Sequence, residues 1–299
     1  MDERTGDTLA ANSARTQLPA PAARRPRERR AYVPFPPGLV PVHLIARRNR
    51  FLVEAVPASL PPDGTRGAQR AAPDRVREAG PVLRLHLPNS GRMTELLEPG
   101  TLGLAQLEEQ AQQGPVDKPP TRRTVGTLLL VRYAGRWVSV DARMPNRLFA
   151  RCLEADCLAP FRGYTTWRAE VRWGTSRVDF LLEAPDRPRC LVETKSCNLV
   201  EDGLALFPDA PTTRGARHLA ELAEAVRSGL RAAVVWFVQR DDADALAAHQ
   251  EADPDFARAL VQARAAGVEA YAYRCRVTPA GVQVLGPIPV RDDGRTRSS

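Results

Sequence analysis

The sequence predicts a two-domain protein in which a small antiparallel β-barrel precedes a mixed α/β domain. Three observations lead there. Between residues 38 and 143, short strand-like runs follow one another with turn residues between them, the pattern of an all-β unit. From residue 144 the apolar spacing becomes helical and then alternates with strands, as expected of a sheet covered by helices. The 299 residues, 43% apolar, suffice for two cores of ordinary composition.

Residues 1–33 are rich in Ala, Arg, Pro and Thr and almost lack large apolar side chains, so a disordered tail is expected. Its run RRPRERR (24–30) reads first as a solubilising segment, and second as a contact for phosphates. The barrel, assigned to residues 34–141, is built from LVPVHLIARR (39–48), FLVEAV (51–56), VLRLHL (82–87), TLGLAQL (101–107), TVGTLLLVRY (124–133) and RWVSVDAR (136–143). Residues 57–80 are polar and rich in Pro and Gly, and read as a long hairpin insertion that need not be ordered.

The second domain is assigned to residues 142–290. Its first helix is PNRLFARCLEADCL (145–158), which aligns Leu148, Leu153 and either Cys152 or Arg151. Three strands follow, TWRAEVRW (166–173), SRVDFLLEA (176–184) and RCLVETKS (189–196). An amphipathic helix starts at Thr212 or Thr213 and carries Leu219, Leu222, Ala223, Val226 and Leu230 on one side. RAAVVWFVQ (231–239) is a buried strand, DPDFARALVQARAAG (253–267) a helix, and VEAYAYRCRV (268–277) the final strand. Helices should then cover both faces of a central sheet, and residues 291–299 form a second disordered tail.

No run of about 18 apolar residues is present, nor an apolar N-terminal stretch of signal-peptide type. Cytoplasmic residence without a membrane partner is therefore the expectation. Five cysteines fit no zinc spacing and are read as reduced thiols. The net charge of +8 favours anionic partners, but half of it lies in the two tails, so a nucleic-acid site has to be a local patch. Nothing fixes the oligomeric state, and a homodimer is one outcome the sequence admits.

The chemistry concentrates in VDFLLEAPDRPRCLVETK (178–195), two strands joined by a turn. Asp179 opens the first strand; Glu193 and Lys195, two residues apart on the second, emerge on one face. Of 43 cationic residues only Lys118 and Lys195 are lysines. A lysine kept at the end of an apolar strand points to a need for a compact ammonium whose pKa can move. If the hairpin brings the two carboxylates together they repel, and a bound Mg²⁺ or Mn²⁺ removes that conflict. The carbonyl of Thr194 would complete the ligand set, and Lys195 would orient or deprotonate the attacking water. Glu170, on the preceding strand, is the candidate for an additional ligand. The competing explanation is a plain ion pair between Glu193 and Lys195 at a strand end.

Contacts to nucleic acid are expected from three places. Arg47, Arg48 and Arg50 surround Asn49 next to Phe51, a basic cluster beside an aromatic. PNSGRM (88–93) offers Asn89, Ser90 and Arg92, although composition alone does not separate it from an ordinary turn. PTTRGARHL puts Arg214, Arg217 and His218 in the first turns of a helix, where phosphate is favoured, on the side away from the leucines. There His218 reads as a surface histidine beside a phosphate path, with proton donation to the leaving oxygen as the second reading.

The ordered blocks RRNRFLVE, LPNSGRM, LEPG, MPNRL, SRVDFLLE, VETKSCNL, FPDAPTTRGARHL, GLRAAVVWFVQR and AGVEAYAYRC resemble those of the sugar fermentation stimulation protein family over residues 38–290, the 57–80 insertion excepted. The resemblance implies a DNA-binding OB-fold domain followed by a restriction-endonuclease-like PD-(D/E)XK domain. Asp179, Glu193 and Lys195 match the nuclease signature, and Glu170 the upstream acid. It implies a metal-dependent nuclease acting on DNA, with RNA as the second choice, or else a non-hydrolytic DNA-binding regulator of sugar-use genes. No helix-turn-helix signature supports sequence-specific reading. Thr194 stands where the family usually has Val, which leaves the backbone carbonyl in place. Leu87 stands where a Cys is typical, which argues against a thiol role, and the insertion alters the barrel rim.

Overall fold

The computed structural model describes residues 16–17, 30–60, 80–108 and 124–292. The basic run up to residue 29, residues 61–79 of the expected insertion and the end of the chain from residue 293 lie outside the described residues. Two short strands come first, β1 (Thr16–Gln17) and β2 (Tyr32–Pro34). The barrel strands are β3 (Val40–Asn49), β4 (Leu52–Pro57), β5 (Leu83–His86), β6 (Leu102–Leu107), β7 (Gly126–Tyr133) and β8 (Arg136–Ser139). Their sheet runs β5-β4-β3-β6-β7-β8 and closes where β5 meets β7. That closing pair is parallel. The sequence suggests an all-antiparallel barrel, but a ring of five strands cannot alternate direction all the way round, so one pair must run parallel. Alternation along the strands fills the barrel with Val42, Leu44, Val53, Ala55, Leu85 and Leu128.

The second domain follows as α1 (Met144–Glu154), β9 (Thr166–Trp173), β10 (Ser176–Ala184), β11 (Arg187–Cys197), β12 (Val200–Glu201), β13 (Leu204–Phe207), α2 (Thr213–Arg227), β14 (Arg231–Val238), β15 (Ala245–Ala248), α3 (Pro254–Ala265), β16 (Glu269–Thr278), β17 (Gly281–Ile288) and β18 (Val290–Arg291). Eight strands form one sheet in the order β1-β9-β10-β11-β14-β16-β17-β2. Its middle, β11-β14-β16, is parallel, and a parallel centre has to be covered on both faces. One face packs Phe180 and Phe237 against Phe149 of α1; the other packs Trp236 against Leu219 and Leu222 of α2 and Phe256 of α3. The expected covering of both faces is what the chain forms.

Three differences from the sequence expectation stand out. Ala31 and Val33 are buried, and β2 pairs with β17 at one edge of the large sheet while β1 pairs with β9 at the other. Residues 1–33 are therefore not wholly a disordered tail; strands of two or three residues are too short to carry a period that reveals them. β17 follows the strand expected to be last; Gly281, Gly286 and Pro287 interrupt the apolar pattern by which a strand is recognised. A small four-stranded sheet, β12-β13-β15-β18, carries the chain past residue 290.

The starts of α2 and α3 are tied to one carboxylate. Thr212 Oγ1 caps α2 by accepting from the Gly215 amide at 3.0 Å. Asp253 caps α3 through the Phe256 amide at 2.9 Å, and its other oxygen accepts from the Thr212 amide at 2.6 Å. The entry of α2, which faces the β10–β11 hairpin, is thus fixed from behind.

Candidate active site

In the hairpin, Phe180 pairs with Val192 and Leu181 with Leu191, a register that sets Asp179 across from Glu193. The ladder with β10 ends at Phe180 and Val192, while β11 continues beside β14 as far as Cys197. The end of β11 therefore has an open edge. Into it the Thr194 amide donates to Asp179 Oδ2 at 2.7 Å, and the Thr194 hydroxyl approaches the same oxygen at 2.8 Å. The N–H and C=O of one strand residue point to the same side, so the Thr194 carbonyl opens onto the gap that Asp179 borders. Asn146 of α1 also lies 3.0 Å from this hydroxyl, whose single proton is shared between the two acceptors. A valine would have neither contact.

Glu193 is buried, and its two oxygens have different surroundings. Oε1 takes Lys195 Nζ at 2.5 Å and the Nδ1 of His218. Oε2 is buried without a protein partner. Burial works to raise the Glu193 pKa, but the Lys195 ammonium and the His218 ring outweigh it and bring it down to about 2. For Asp179 the balance is reversed: burial, and then the charge of Glu193, raise its pKa against the donors of Thr194. Two facing carboxylates, one firmly ionised and one reluctant to ionise beside it, form a site that a hard cation would relieve.

His218 is placed differently from the sequence expectation. It is buried at 5% exposure, on the same stripe of α2 as Gly215, Leu219 and Leu222, because positions three and four apart share one helix face. Its Nε2 accepts from Arg214 Nε at 3.3 Å, so the ring proton sits on Nδ1 and is donated to Glu193. The expectation of a surface histidine away from the leucines is corrected accordingly. Arg214 and Arg217 are exposed.

Glu170 does not join the cluster. The β9–β10 register puts it across from Asp179, yet its backbone is left-handed at φ +55°, which breaks the alternation of the strand. Its carboxylate, about half exposed, instead faces Arg177 at 3.4 Å. Among the described residues no group of three His, Cys, Asp or Glu is arranged to hold an ion.

On the barrel, Arg47 spends its guanidinium on three carbonyls: Arg92, Arg50 at 2.9 Å and Asn49 at 3.2 Å. Arg48 is paired with Glu54 at 2.7 Å. Arg50, Ser90 and Arg92 are exposed. Asn89 Oδ1 accepts from the Gly91 amide at 2.9 Å, shaping the loop. This loop touches the second domain, since the Met93 amide donates to Asp209 Oδ2 at 2.9 Å. Asp209 belongs to the loop that leads into α2. A Cβ on Gly91 would lie 2.7 Å from both Asp209 oxygens, so Gly91→Ala should loosen the contact and lower stability by about 1–3 kcal/mol, measured by urea unfolding. Sequence reasoning assigned no role to Asn146 or Asp209; both stand inside conspicuous motifs, MPNRL and FPDAPTTRGARHL, but only the fold shows what they touch.

Two family models match the chain: "SfsA N-terminal OB domain" over residues 45–140 and "Sugar fermentation stimulation protein RE domain" over residues 143–281. The sugar fermentation stimulation protein homolog of Moorella thermoacetica is 42% identical over 259 residues, covering 87% of this chain and 99% of that protein. Its counterpart in Symbiobacterium thermophilum is 50% identical over 223 residues, 73% of this chain and 89% of that one. A solved structure, Pyrococcus furiosus SfsA in complex with Ca²⁺, is similar with a TM-score of 0.69 at 27% identity, over 87% of this chain and 99% of that one.

Proposed function

The chain belongs to the sugar fermentation stimulation protein family, and from that premise we propose that it is a nuclease that hydrolyses phosphodiester bonds with a divalent cation. The observation that carries this is the Glu193 carboxylate, anchored through Oε1 by Lys195 and His218 while its buried Oε2 stays without a protein partner across from Asp179. An oxygen left so is costly in a packed interior, and a cation supplies the missing partner. The donor set is all oxygen, which fits Mg²⁺ or Mn²⁺, and the Ca²⁺ complex of the Pyrococcus furiosus relative supports a hard divalent ion.

Asp179, Glu193 and the Thr194 carbonyl would hold the ion, which when bound supplies positive charge next to the phosphate oxygens. Lys195, 16% exposed and in contact with Glu193, lies at the edge of the site and orients or deprotonates the attacking water. His218 keeps Glu193 in place from behind, and Arg214 fixes the tautomer of His218. Arg214 and Arg217 on α2, with Arg50 and Arg92 on the barrel, are the exposed cations that meet the phosphates. DNA is the proposed substrate and RNA the second, with the cytoplasm as the place of action. Among the described residues no helix is long and apolar enough to cross a membrane.

The test is an assay of single- and double-stranded DNA and RNA with Mg²⁺, Mn²⁺ or EDTA, with Asp179→Ala as control. Cutting should require the ion and fall at least about 10³-fold in the variant, the several kcal/mol that charge stabilisation supplies. An uncut panel with both ions overturns the proposal. Salt-dependent DNA binding in EDTA together with an uncut panel in Mg²⁺ and in Mn²⁺ would point instead to a non-hydrolytic regulator.

A further inference from the structure

Phe51 is half exposed, at 50%, at the bend between β3 and β4. Its amide donates to Asn49 Oδ1 at 2.9 Å and its carbonyl accepts from the Leu87 amide at 2.9 Å. The ring of His86 lies beside it in a stacked arrangement, centroids 6.4 Å apart and planes 27° from parallel. The aromatic is therefore pre-ordered, so a partner that covers it meets little further ordering cost. Exposed Asn49 and Arg50 adjoin it, with Arg48 neutralised by Glu54.

The tip is joined to the candidate active site by a chain of contacts. Arg47 grips the Arg50 and Arg92 carbonyls, and the next residue, Met93, donates to Asp209 just before α2. One isolated ring among polar groups is too small to be a protein–protein interface. A nucleotide fits it better, giving the π-face of its base to the ring and its phosphate to Arg50.

We propose that Phe51 is a stacking platform for an unpaired nucleobase, so that the protein engages nucleic acid through a single-stranded stretch. The inference rests on the nuclease reading and narrows its substrate class, since bases inside a duplex have no free face to offer. The test is binding in EDTA at one fixed salt concentration, comparing a single-stranded oligonucleotide with a blunt duplex by fluorescence anisotropy. Phe51→Leu keeps an apolar side chain without the π-face, and should weaken single-strand binding roughly 10-fold while leaving duplex binding within about twofold. Phe51→Trp should bind the single strand at least as well as the wild type. Equal single-strand affinity of Phe51→Leu and wild type overturns the inference and leaves the nuclease reading standing. So does an effect of Phe51→Leu on self-association alone, seen by sedimentation velocity. If the wild type binds neither nucleic acid, this inference fails, while the nuclease reading stands or falls with the cutting assay.

Discussion

Lys195→Arg should cut at least about 10³-fold more slowly than the wild type while still folding and binding Mn²⁺. The chain places arginine at almost every other cationic position, so the substitution looks mild, but at this site it is not. Lys195 sits 2.5 Å from Glu193 in a place only 16% exposed, and a planar guanidinium is larger and stays protonated above pH 12. Always protonated, it cannot take a proton from water, nor does it fit the same slot. Single-turnover rates with calorimetric Mn²⁺ titration of both proteins check this. A variant that cuts like the wild type would reduce Lys195 to an ion-pair partner.

His218→Leu should weaken Mn²⁺ binding about 10–100-fold, the usual cost of losing a group that orients a metal ligand, with DNA affinity in EDTA unchanged within about twofold. His218→Asn, whose amide can stand where Nδ1 stands, should recover most of the loss. The conservative variant separates positioning from mere packing, because both substitutions remove the ring. If instead the leucine variant loses DNA affinity and keeps Mn²⁺, His218 is a phosphate contact, as its place at a helix start first suggests.

The difference between those outcomes shows where sequence stops being informative. The meeting of Asp179, Glu193 and Lys195 is legible because strands have a strict period of two, so a hairpin fixes faces and partners almost by counting. Glu170 followed the same count and missed, because its left-handed backbone interrupts the period without any glycine to announce it. His218 missed for another reason. Its neighbours are arginines, which suggest solvent, yet it falls on the leucine stripe and finds a buried carboxylate there, which only tertiary packing can supply. The helices and central strands were legible from their long apolar runs; β1, β2 and β18, of two or three residues, were not.

Those short strands alter what the two domains are to each other. Since β1 and β2 complete the edges of the large sheet, the barrel is nested within the second domain rather than strung before it. The chain leaves that sheet after Pro34, builds the barrel, and returns at Met144. Two covalent crossings, reinforced by Asn198 Nδ2 on the Ser139 carbonyl at 2.6 Å and by Arg136 with Asp241 at 3.0 Å, leave the barrel no single linker on which to swing. A fragment beginning at residue 142 would lack both edge strands and expose sheet edges open to foreign pairing. The barrel is therefore held at both ends by the domain that contains Glu193, and on the proposed function a strand bound by one would be presented to the other in a fixed register.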